Sequence, residues 1–342
     1  MLKERPMAPD EDPVQRASTD DADLYDVATW DDRTALDHLA VRVHAGLVTA
    51  RTVAIVLLAL ALFLGLFGLA IPVVADEPVL GALGLVSTLP AFVLVGYLWY
   101  DDPTRREPIE PLAITFVLAV LFATFAAIVN EVFAAGFVAL PVGMALYFFL
   151  VVGPVEETVK WLAVRIHAYG RDDFDAVVDG VVYGAVAGLG FAAIENLIYI
   201  LVTYLEATDV SATLQFRYAT QTAIGRAFVG PGHVIFSAYA GYYLGLAKFN
   251  PGKRGPIVVK GLLVAALAHA TYNTIVTYVP QLGIDFGGLL FFGFVLVYQG
   301  VFFYILYRKL KRYETAYERA HDGPKQATEF EVETTEFDPD TR

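Results

Sequence analysis

The sequence predicts an all-α polytopic membrane protein, a bundle of about eight transmembrane helices between acidic tails. Three observations predict it. The chain of 342 residues is 56% hydrophobic with a mean hydropathy of +0.54, above the ~45–50% apolar content of soluble domains. Its apolar residues are gathered into long runs. Its basic residues favour alternate connections between those runs.

The runs are 52–74, 79–99, 112–135, 144–168, 176–205, 219–247, 256–279 and 286–307. Each approaches or exceeds the ~20 residues with which a helix crosses ~30 Å of hydrocarbon. Most lack the polar face of a soluble helix. In the fourth run, Gly153-Pro154 predicts a kink, because proline removes a helical N–H and clashes with the preceding turn. Residues 130–146, with Gly136, Pro141 and Gly143, are compatible with a loop, a re-entrant turn or an early start to that run. No internal repeat is evident, which argues against a transporter built from inverted repeats.

Lys and Arg accumulate on the cytoplasmic side of membrane segments. Arg42, Arg51, Arg105, Arg106, Lys160, Arg165, Arg171, Lys248, Lys253, Arg254, Lys260, Arg308, Lys309, Lys311 and Arg312 fall on one side, against Arg217 and Arg226 on the other. That split predicts eight spans in the cell membrane with both termini in the cytoplasm.

The net charge of -13 comes from the ends: eleven acids and four bases in residues 1–40, nine acids and three bases in 313–342, and seventeen of each between. Acidic segments poor in apolar residues cannot bury a core, so 1–40 and 313–342 are expected to be disordered cytoplasmic tails around a transmembrane domain, 41–312. The surplus charge also suits a salty cytosol. No nucleic-acid partner is expected. The absence of cysteine excludes disulfides, a thiolate nucleophile and Cys-ligated metal. The acidic N-terminus argues against a cleavable signal peptide.

Ionisable groups inside a bilayer are costly and demand a reason. Glu156, Glu157 and Lys160 fall mid-way along the fourth run, Glu195 and Asn196 in the fifth, His233 in the sixth, and His269 and Asn273 in the seventh. Their depths are comparable. Glu156 and Lys160, Phe191 and Glu195, His233 and Ser237, and His269 and Asn273 are i,i+4 pairs, so each pair shares a helix face. Singly, each has a structural explanation: a buried ion pair, interhelical amide bonds, packing histidines. Together they suggest one polar pocket suited to hydrolysis. A buried carboxylate can take a proton from water, imidazoles can hold the water or a metal, and an amide can stabilise an oxyanion. Nothing raises Ser237 above a packing serine.

GPVEETVKW (153–161), DGVVYGAVAGLGFAAIEN (179–196), GPGHVIFSAYAGYYLG (230–245) and AHATYN (268–273), in order on successive runs, resemble the PrsW family of intramembrane proteases. That family lies within the wider group of CAAX-type prenyl proteases and bacteriocin-processing enzymes. The resemblance covers roughly residues 90–310. It implies proteolysis of membrane-anchored proteins such as anti-sigma factors. Glu156 and Glu157 match the family's paired glutamates, Glu195 its second motif, His233 its third, and His269 with Asn273 its fourth. The wider group has His where this chain has Glu195.

The resulting mechanism is water attack on a peptide carbonyl. Glu156 is the preferred base and Glu157 its alternative, with Lys160 orienting the pair and Asn273 near the oxyanion. Zinc held by His233, His269 and Glu195 is one version, since two His plus a carboxylate is a catalytic ligand set. The ligands lack the compact HExxH spacing, and similarity to the wider group's paired glutamates favours the metal-free version. A proton-coupled transporter using the carboxylates as relays and a non-catalytic membrane sensor are the rival classes.

Overall fold

The structure, a computed structural model, describes residues 14, 23–26, 28–140 and 142–322. Most of both predicted tails, 1–13, 15–22 and 323–342, lies outside the described residues, as does Pro141. The chain divides into two compact units, Met1–Leu57 and Leu58–Arg342.

In the first unit, residues within the predicted N-terminal tail are ordered around one carboxylate. Asp37 accepts from Thr34 N and Thr34 Oγ1 at 2.7 Å, while its own N–H donates to Thr34 Oγ1 at 3.2 Å. This is a capping box at the start of helix α1 (Ala35–Asp76). Tyr25 OH and Trp30 Nε1 donate to the same carboxylate. The four hydrogen-bonded partners explain why this short acidic stretch takes a definite form.

The regular secondary structure of the second unit is all helical among its described residues. It contains α2 (Pro78–Tyr100), α3 (Ile109–Val138), α4 (Gly143–Tyr147), α5 (Gly153–Ile166), α6 (Asp179–Glu206), α7 (Ala212–Lys248), α8 (Arg254–Tyr278) and α9 (Gly288–Asp322). The all-α polytopic membrane class predicted from the sequence is the one observed. Among the described residues, six helices are long and apolar enough to span a bilayer: α1, α2, α3, α6, α8 and α9. The other two predicted spans are present as helices that carry the polar groups. One is the interrupted α4–α5 segment, and the other is α7, with Arg217, Arg226, His233 and Lys248 along its length. α9 continues past the predicted end of the membrane domain to Asp322.

The ambiguous 130–146 stretch is resolved as the end of α3, a break, and the start of α4. Val142 there has φ 50°, a left-handed conformation that is costly for a β-branched residue. Gly143 follows because a Cβ would lie 1.8 Å from the Phe137 carbonyl oxygen. The predicted kink at Gly153-Pro154 takes the form of a π-helical segment, Phe148–Val152, joining α4 to α5. Such segments often mark functional sites.

α6 and α7 pack along a stripe of small residues. A Cβ on Gly184 would meet Ser237 O at 2.4 Å, and one on Gly188 would meet His233 O at 2.4 Å. Glycine here sets the interhelical distance and thereby the position of His233. Gly188→Ala is expected to force the helices apart, destabilising the fold by ~1–3 kcal/mol. A lowered thermal midpoint in detergent checks this, and an unchanged midpoint would refute it.

Candidate active site

Pro231 lies inside α7, two residues before His233. Proline leaves the carbonyl four residues back, that of Ala227, without its helical donor, and α9 engages the two carbonyls that follow it. Buried Gln299 donates through Nε2 to Phe228 O at 3.0 Å and to Val229 O at 3.4 Å. On the other side, the α6 glycines admit the α7 backbone. His233 is therefore held on a turn that is fixed by neighbouring helices on two sides.

Around it the polar side chains form one connected network. Lys160, fully buried, donates to Glu157 Oε1 at 2.7 Å and lies 3.8 Å from Glu156 Oε2. Its ammonium is also 3.0 Å from His233 Nδ1 and 4.2 Å from the centre of the Phe191 ring, a cation–π contact. Because an ammonium only donates, Nδ1 is the acceptor and Nε2 carries the ring hydrogen. That Nε2 faces Glu195 Oε2 at 2.8 Å.

Glu157 is fully buried and both of its oxygens are engaged. Besides Lys160 it accepts from Ser237 Oγ at 3.1 Å and contacts His269 Nδ1 at 3.0 Å. The imidazole thereby donates from Nδ1 and turns Nε2 toward Glu156, whose Oε2 is 3.7 Å away. Glu156 differs from its neighbour. Its Oε1 accepts from Asn130 Nδ2 at 3.1 Å, while its Oε2 is buried without a hydrogen-bond partner. Adjacent carboxylates on one helix thus have distinct environments, one locked and one free.

Asn196 stands apart from the carboxylates. It donates to Ser87 O and Oγ at 3.2 Å and accepts from Arg226 Nε at 2.8 Å. Arg226 also bonds Glu195. Asn196 thus orients the arginine that holds Glu195. Asn273 lines the cavity but, among the described residues, makes no hydrogen bond to the carboxylates or imidazoles. The cavity is about 660 Å³ and is lined by Glu156, Glu195, Arg226, His233, His269 and other, mainly apolar, residues.

Arg226 corrects one sequence inference. It was counted as a loop residue on the non-cytoplasmic side, but α7 starts at Ala212 and Arg226 lies within the helix with its side chain 13% exposed. Glu195 compensates its charge, which is why an apolar bundle tolerates it. Asn130 and Ser87 were also missed. A single amide or hydroxyl in an apolar run carries no sign that it reaches another helix.

The side chains suit a metal ion. Glu156, His233 and His269 each offer a ligand atom, all within 4.8 Å of one another. Glu156 Oε2 accepts no hydrogen bond, and Glu157 holds His269 as a carboxylate commonly holds a metal-ligating imidazole. The sequence-derived set had Glu195 in place of Glu156. In the structure Glu195 is engaged by Arg226, and a guanidinium beside a carboxylate opposes a second cation on it.

Comparisons with known proteins agree with this chemistry. The family model described as "PrsW family intramembrane metalloprotease" matches residues 107–305. The chain is 33% identical over 186 residues to "Protease PrsW" of Geobacillus kaustophilus, covering 54% of this chain and 75% of that protein. It is 30% identical over 191 residues to "Protease PrsW" of Bacillus subtilis, with 55% and 79% covered. Against "Protease PrsW" of Clostridioides difficile it is 29% identical over 197 residues, with 56% and 77% covered. No solved structure matches the chain. The matched segment contains the whole carboxylate–imidazole network, and the chain belongs to the PrsW family of intramembrane metalloproteases.

Proposed function

We propose that this metalloprotease cuts membrane-anchored proteins of the anti-sigma-factor kind, with a zinc ion held by Glu156, His233 and His269. The observation that carries the reading is the Glu157–His269 pair, which aims Nε2 at the unpartnered oxygen of Glu156. Two imidazoles and a carboxylate are a donor set suited to catalytic zinc. When bound, zinc would polarise the scissile carbonyl and make water acidic enough to attack near neutral pH.

The protein's residues do the rest. Glu195 lines the cavity with Arg226 fixing its orientation, and it takes the proton from the attacking water. To ligate through Nε2, His233 would give up its contact with Glu195, its ring hydrogen would move to Nδ1, and Lys160 would turn its ammonium from Nδ1 to Glu157. Lys160 neutralises Glu157 and keeps that carboxylate available to orient His269. Asn273, on the cavity wall, supplies an amide N–H to the oxyanion. The cavity's mainly apolar lining suits a segment of chain embedded in lipid.

The test is proteomics of the membrane fraction, comparing wild type with the Glu156→Gln variant, which is expected to stay folded. An uncut membrane-anchored protein is expected to accumulate in the variant. An unchanged proteome, together with altered proton flux across the membrane, would favour the transporter reading instead.

We place the protein in the cell membrane with both termini cytoplasmic. With Arg226 and Lys160 both paired inside the bundle, the remaining split is fourteen bases on one side against Arg217 on the other. Tags at either terminus are expected to be protected in intact cells, and labelling of either from outside would overturn this orientation.

A further inference from the structure

A second cluster of carboxylates lies at the ends of α2, α3 and α6, separate from the network described above. Asp102 and Glu107 come from the connection between α2 and α3, and Asp179 from the first turn of α6. Each offers a carboxylate oxygen, and these oxygens lie within 4.8 Å of one another. Glu107 is 2% exposed and Asp179 1% exposed. Asp102 is half-buried.

Two of the three are held by one oxygen and present the other. Asp102 Oδ1 accepts from Thr104 N and Oγ1 at 2.7 Å. Asp179 Oδ2 accepts from Asp175 N at 2.6 Å and Ala176 N at 2.8 Å. Their second oxygens, and both oxygens of Glu107, are buried with no hydrogen-bond partner. Trp99 Nε1 fixes the Glu107 backbone by donating to its carbonyl at 3.0 Å. The nearby bases are committed elsewhere. Lys248 donates to Tyr169 O and Arg171 O at 3.0 Å, and the Arg106 guanidinium lies 4.4 Å from the centre of the Tyr100 ring.

Buried carboxylates without donors are costly unless something positive joins them. We infer that Asp102, Glu107 and Asp179 form a second cation site, for a hard divalent ion such as Ca²⁺ or Mg²⁺, that ties the α2–α3 connection to the start of α6. The donors are all oxygen, which suits these ions and not the nitrogen-preferring metal of a Glu/His/His set. Oxygens that share one ion at bonds of ~2.4 Å stand at most ~4.8 Å apart, and the three oxygens lie within that limit of one another. Burial, with the charges of Asp102 and Asp179 adding to it, pushes Glu107 up to about 9. A shared proton is therefore the rival way to relieve the cluster.

The experiment uses the full chain in detergent, treated with chelator and then given CaCl2 or MgCl2. It is run both on wild type and on a Glu156→Gln, His269→Ala variant whose Glu/His/His set is disabled. Saturating cation is expected to raise the thermal midpoint by ~5 °C in both. Glu107→Gln and Asp179→Asn are expected to abolish the rise. Terbium luminescence sensitised by Trp99 gives a readout on wild type alone, and Ca²⁺ or Mg²⁺ should displace it. Absence of both the shift and the luminescence in wild type would overturn the proposal. So would a shift undiminished in Glu107→Gln. A protonated-carboxyl infrared band that persists at saturating cation and vanishes in Glu107→Gln would establish the shared proton instead.

Discussion

Glu156→Gln is expected to reduce peptide-bond cleavage by ~10³-fold or more while leaving the protein folded. Gln keeps the shape and can still pair with Asn130, but its amide neither ligates a metal as a carboxylate does nor accepts a proton near neutral pH. Its neighbour provides the control. Glu157 is bonded to Lys160, Ser237 and His269 in a fully buried setting. Glu157→Gln therefore leaves a buried ammonium without its carboxylate, and a loss of ~3 kcal/mol or more in stability is expected. Purified variants with a membrane-tethered reporter substrate, and thermal unfolding in parallel, separate the two effects. Glu156→Gln activity within ~10-fold of wild type would exclude a central role for that carboxylate.

The distinction between these adjacent glutamates was not legible in the sequence. Consecutive helical positions point ~100° apart, and without the neighbouring helices nothing says which one faces the cavity. What could be read was imposed by the bilayer. Apolar runs announce helices, and ionisable residues inside them announce a site. The i,i+4 faces of Glu156–Lys160 and His233–Ser237 were legible for that reason, and Ser237 proved to reach Glu157. Arg226 was misread because a base near the start of an apolar run resembles a loop residue until its partner on α6 is seen. The break before α4 was ambiguous because it depends on the left-handed backbone at Val142, a position where composition gives no warning. The expectation of metal-free chemistry came from the wider group's paired glutamates. The family's description as metalloproteases and the orphaned oxygen of Glu156 both favour a metal.

Removal of that metal is the other large effect. A strong chelator is expected to lower the activity of the purified enzyme by ~10²-fold or more, and stoichiometric zinc to restore it. His233→Ala and His269→Ala should each lose bound metal and activity together, since each deletes one of three donors. Glu195→Gln is expected to behave differently. It retains metal, because Glu195 is outside the proposed ligand set, yet loses ~10²–10⁴-fold in cleavage, because Gln cannot accept the proton from water. Metal content by elemental analysis beside turnover distinguishes these cases. Full activity in metal-free protein, verified by that analysis, would remove zinc from the mechanism and return Glu156 to the role of general base. Loss of metal in Glu195→Gln with retention in Glu156→Gln would exchange the roles of the two carboxylates. Either result would leave the membrane-protease assignment intact, because it rests on the family match and not on the division of labour among these side chains.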